Sequence, residues 1–127
     1  MKEFLKAINT LAMHCVVKVL KIDLNTGTYK IVHLDKGEYK SNSPYLNDWV
    51  NEAVTKDLIR EDYSEAFKTV FSFDNLKSKL KYSKYIHYKF ARKCNSFNDE
   101  YRMSVITVLP IENGNSAYLI VYDINDC

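Results

Sequence analysis

Histidines, cysteines and clustered carboxylates are the residues that could do chemistry in this chain. The histidines are His14, His33 and His87, and all three fall on segments that read as strands. A three-histidine metal site would require those strands to converge. A strand histidine that is solvated or hydrogen-bonded is the plainer reading, so no metal is inferred. The cysteines are Cys15, Cys94 and Cys127. An odd, widely spaced set without a CxxC pair is neither a disulfide framework nor a zinc site. Cys15 reads as a small core residue and Cys94 as a thiol at a loop edge. Free thiols fit a reducing, cytoplasmic setting. Ser64, Ser72 and Ser104 have no motif around them, and neither GxSxG nor HExxH occurs. Glu61, Asp62 and Glu65 cluster, but helix capping explains them. The chain is not expected to be an enzyme.

Aromatic content is the compositional oddity: ten Tyr, six Phe and one Trp in 127 residues. Trp49, Phe67, Phe71, Tyr88, Phe90 and Tyr101 are placed nearest a helix–sheet interface. There they could line a pocket for a planar ligand or form a plain aromatic core. Arg102, if inward-facing, would be a buried guanidinium able to hold a carboxylate through two hydrogen bonds. The alternative is a pair with a neighbouring acid on the sheet. Lys77, Lys79, Lys81, Lys84, Lys89, Arg92 and Lys93 interleave with Tyr82, Tyr85 and Tyr88, the composition of a nucleic-acid surface. Alternation splits them between faces, and the net charge is only +2. A solvated face is therefore expected, with no nucleic-acid partner.

The elements that must position these residues are legible from period and punctuation. At 46% hydrophobic and 27% charged, the chain reads as one globular domain over residues 1–127. No segment approaches the ~20 apolar residues of a membrane helix, so no membrane contact is expected. The N-terminal apolar stretch is broken by Lys6, Asn9, His14 and Lys18 and is not a signal peptide. Phe4, Leu5, Ile8, Leu11 and Ala12 share a helical face, which predicts an amphipathic capping helix over 1–12 ahead of a core at 13–126. His14–Leu24 and Thr28–Leu34 read as strands around the turn Asn25-Thr26-Gly27. Three short helices follow. Their expected starts are Ser43-Pro44, Asp62 with Glu65 three residues on, and Asp74. Tyr85–Lys93, Tyr101–Leu109 and Ala117–Ile124 alternate as strands, with Asn113-Gly114 the strongest hairpin signal. Leu119 and Val121 lie on one side of the last strand, and Tyr118, Ile120 and Tyr122 on the other. Both faces of the sheet should therefore be covered. One should take the middle helices. The other should take the N-terminal helix, a partner chain or both. The fold class is α+β, with a five-stranded antiparallel sheet.

This order, at this length, resembles a PAS sensory domain. The resemblance spans nearly the whole chain. "KVLKIDLNTGTYKIV" looks like the opening hairpin of the bacterial signalling branch. "IREDYSEAF" resembles its helix start, usually His-Pro-x-Asp: Asp62 keeps the cap, while Ile59 and Arg60 replace His and Pro. "NDEYRMSVITVLP" and "AYLIVYDIND" resemble its closing hairpin, usually Gly-x-Tyr-Arg-Trp and then Asp-Ile-Thr. Tyr101, Arg102, Asp123 and Ile124 match that form; Asp99, Met103 and Asn125 depart from it. The resemblance implies that Asp123 and Ile124 sit where the sheet joins an output helix. It also implies a homodimer that senses a small molecule. The output domain would be a diguanylate cyclase of the GGDEF type or a histidine kinase, and the chain would be a module excised from that larger protein. Haem is disfavoured, because the family's axial His comes from the helical middle and residues 42–82 contain none. Flavin is disfavoured, because no Asn-Cys-Arg-Phe-Leu-Gln motif occurs. The ligand's identity stays open. The rival readings are a ligand-free pairing module and, less well fitted to the opening hairpin, a small cone-shaped α+β isomerase.

Overall fold

The computed structural model describes residues 16–93 and 100–124. The capping helix expected over 1–12 lies outside them, as do His14 and all three cysteines. The strands are β1 (Val16–Asp23), β2 (Tyr29–Leu34), β3 (Ile86–Arg92), β4 (Arg102–Ile111) and β5 (Ser116–Asp123). Between β2 and β3 come α1 (Leu46–Thr55), α2 (Glu61–Phe71) and α3 (Phe73–Lys79). The fold is α+β. Its strands form one antiparallel sheet in the order β2-β1-β5-β4-β3.

Two turns fix the hairpins. In the first, Gly27 has φ +77°, and a Cβ there would come within 3.0 Å of the Phe73 ring. Asp23 Oδ1 accepts the Asn25 N–H at 2.8 Å and closes the same turn. In the second, Glu112, Asn113 and Gly114 all have positive φ. That geometry suits Asn and Gly and matches the twist of the flanking strands. Pro110 lies within β4 but beyond Val108, where β3 ends its pairing, so its missing N–H breaks no ladder bond to β3.

The helix starts differ from expectation. Ser43 is not the N-cap of α1. Its hydroxyl accepts the Tyr45 N–H and donates to Asp48, and the helix begins at Leu46. Asp62 lies in the first turn of α2, behind an Arg60 N-cap that makes no side-chain cap bond. Asp62 instead forms a two-pronged pair with Arg60, which holds its carboxyl below the usual range. No Asp62–Glu65 capping box forms, because the strongest local competitor for Asp62 is a guanidinium. Ser72, rather than Asp74, caps α3 and accepts the Asn75 N–H.

The sheet divides two apolar clusters. Leu20, Ile22, Phe90, Ile106, Val108, Leu119 and Val121 meet Leu46, Trp49, Phe67, Phe71 and Leu76 on the helical side. Val16, Val19, Tyr118 and Ile120 form the second cluster on the opposite face, flanked by Leu109, Ile111 and Tyr122. Tyr118 and Ile120 are each 1% exposed. The alternation of β4 therefore runs opposite to what a Tyr101 at the helix–sheet interface requires: Ile106 and Val108 face the helices, while Leu109 and Ile111 face away.

The two edge strands are partly sealed by the chain itself. Pro44–Leu46 runs beside the start of β2, with the Tyr29 N–H on the Pro44 carbonyl and the Leu46 N–H on the Gly27 carbonyl. Leu58–Arg60 runs beside the end of β3, through Arg60 N–H to Ala91 O and Lys93 N–H to Leu58 O. Opposite Val19 and Leu20, β2 also carries one extra residue, Val32.

Candidate functional site

On β3 the inward side reads Ile86, Tyr88, Phe90 and then Arg92. The first three pack with the helical cluster. The fourth carries a guanidinium into the interior. Arg92 Nη1 donates to Glu38 Oε1 at 2.6 Å and Nη2 to Asp123 Oδ1 at 2.7 Å. Its Nε donates to Ser104 Oγ at 2.8 Å, and that hydroxyl donates on to Asp123 Oδ1 at 2.6 Å. The side chains of Arg92, Glu38 and Asp123 are 7%, 3% and 11% exposed. Burial disfavours the charged guanidinium. The Glu38 and Asp123 charges outweigh that and raise its pKa. Four segments thus meet at one side chain: β3, β4, the end of β5 and the strap between β2 and α1.

The guanidinium closes one end of a cleft of about 30 Å³ between sheet and helices. Trp49, Phe67 and Phe90 form apolar walls, and Lys18, Glu38 and Arg92 form the polar end. Lys18 is there by alternation: it precedes Leu20 and Ile22 on the inner side of β1 and pairs with Val121. The bulge at Val17 falls just before it and changes the phase of Val16 instead. Its ammonium lies 5.1 Å from the Trp49 ring centroid, a cation–π position.

Beside Glu38 on the strap, Tyr39 also lines the cleft. Its hydroxyl donates to the Glu52 carboxylate, whose other oxygen accepts from Ser41 at 3.0 Å. Burial first, and the Glu52 acceptor second, push the Tyr39 hydroxyl up to about 12. A phenol raised on folding contributes stability that is complete below its unfolded pKa of roughly 10. That stability is lost as pH rises from there through about 12. Burial also raises Tyr29 and Tyr88, so ultraviolet titration of tyrosinate should show a late component that Tyr39→Phe reduces by one phenol, and urea stability should fall over the same window.

The cleft gathers only part of the set marked from sequence. Trp49, Phe67 and Phe90 line it. Phe71 and Tyr88 pack behind, 5.6 Å apart between ring centroids, as core. Tyr101 lies elsewhere, its hydroxyl donating to the Asp57 carbonyl at 2.9 Å. Arg102 pairs in register with Arg92 but does not line the cleft. The inward guanidinium is Arg92, which the sequence had assigned to a solvated basic face. Lys18, Glu38, Tyr39 and Ser104 were not marked as site residues either. Ile124 is exposed just past β5, and Asp123 is held by Arg92. His33 bonds to Asp35 and His87 to Thr107, both at the surface. Among the described residues no three His, Cys, Asp or Glu side chains gather as a metal site. No helix among them is long and apolar enough to cross a membrane. No family model matches the chain, and no curated protein matches it.

Proposed function

We propose that this chain is a PAS-type sensory domain of a cytoplasmic bacterial signalling protein. It binds a small molecule, or pairs with a second copy, and so controls an output domain of the diguanylate cyclase or histidine kinase type. The observation that carries this reading is the grip of Arg92, a cleft residue, on Asp123 at the end of the last strand. A ligand that prefers one arrangement of Arg92 biases the end of β5 by its difference in affinity for the two arrangements. Asp123 and Ile124 are then the point of exit. The α+β sheet with its helices is compatible with this family, an argument by analogy of fold.

A second reading, a ligand-free pairing module, is favoured by the small volume of the cleft. Native mass spectrometry at several protein concentrations separates the two. The sensory reading expects an adduct that is lost on denaturation, together with a dimer. A dimer without an adduct favours the pairing module. An unliganded monomer at every concentration sinks both.

A further inference from the structure

Glu38 is an unusual occupant of its position. It comes from the strap between β2 and α1, yet its side chain is only 3% exposed and its carboxylate sits on Arg92. Away from this polar end the cleft is walled by Trp49, Phe67 and Phe90. We propose that the cleft is a receptor site for a small monocarboxylate with an apolar tail, and that Glu38 holds the carboxylate position in its absence. The inference rests on the sensory reading above and names its ligand class.

Volume and charge select this class. The cleft of about 30 Å³ holds about two waters beside Glu38. A ligand must therefore replace the Glu38 side chain rather than lie next to it. Lys18, Arg92 and Lys93 line the cleft with Glu38, and Asp123 lies against Arg92. Exchanging one carboxylate for another keeps that balance of charge, whereas an amine would remove a needed negative charge. A short apolar tail has the aromatic walls to lie on. Expelled Glu38 returns to water and frees the strap carrying Tyr39.

Trp49 is the chain's only tryptophan, so its fluorescence reports on the cleft directly. The whole protein is titrated with propionate and isovalerate, and with propylammonium and chloride at equal ionic strength. A saturable change with the two carboxylates alone is expected. Glu38→Gln, which keeps a hydrogen-bond acceptor for Arg92, should bind them about tenfold more tightly because internal competition is weakened. Equal responses to propionate and chloride, or no tightening in Glu38→Gln, would overturn the inference. The ligand comparison needs no substitution at Arg92 and so does not depend on a variant folding. A non-acidic adduct in native mass spectrometry would overturn the carboxylate and leave the sensory reading standing. Carboxylate binding that leaves the end of β5 and the oligomeric state unchanged would support the site and defeat the sensory reading.

Discussion

Arg92→Met is expected to lower the unfolding free energy by about 3–5 kcal/mol, because it leaves buried carboxylates without their cation. The loss falls on Glu38 and Asp123 together, since one guanidinium serves both. Domains of this kind have about 5–15 kcal/mol in total, so the variant would be close to unfolding at room temperature. Urea denaturation measures the loss. Replacing the whole network at once, as Arg92→Met, Glu38→Met, Asp123→Leu and Ser104→Ala, should recover most of it, because a packed apolar cluster leaves neither a buried charge nor an unpaired Ser104 hydroxyl. That recovery separates two roles. A network kept only for stability would outperform its apolar replacement. A network that survives despite that replacement being as stable serves something other than stability. If Arg92→Met alone costs less than about 1 kcal/mol, the ionic cluster is hydrated and the site as drawn is wrong.

Phe67→Ala should cost about 3–5 kcal/mol by removing the ring at the centre of the aromatic cluster. Phe67 is 1% exposed. Its ring centroid lies 5.0 Å from Phe71, 5.2 Å from Phe90 and 6.2 Å from Trp49. No neighbour can collapse into the gap without breaking another contact, because those rings hold one another. The emptied volume would join the cleft, since Phe67 is one of its walls. Phe67→Leu should cost less and leave a smaller enlargement. Urea denaturation gives the stability loss, and the Trp49 emission should shift as the enlarged space takes in water. A loss under about 1 kcal/mol would mean that the cluster is loosely packed.

The sheet was readable in the sequence because its signals are local. Gly27, Asn113-Gly114 and the alternation of β3 each state their structure within a few residues. The helix starts were harder. Ser43, Asp62 and Asp74 are all good caps by type, and the chain used Ser72 instead at α3. Competition decided the first two: Ser43 was taken by Asp48 and Tyr45, and Asp62 by Arg60. The site was the least readable part. Arg92 continues the inward series of Ile86, Tyr88 and Phe90, so extending the alternation by one step would have found it. Treating it as one of seven basic residues hid that signal. Lys18 carried the same signal, since it stands two and four residues before Leu20 and Ile22 on the inner side of β1. Glu38 reaches Arg92 across 54 positions of sequence, and spacing along the chain says nothing about that meeting.

The loops beside β2 and β3 set a limit on how copies of this chain can assemble. An open sheet edge recruits foreign strands, and that is a route to fibres as well as to dimers. Here Pro44–Leu46 and Leu58–Arg60 occupy backbone positions that an incoming strand would need at one end of β2 and of β3, and the extra residue Val32 breaks the regular spacing of β2. Strand addition over these ends of the edges would first have to peel the loops away.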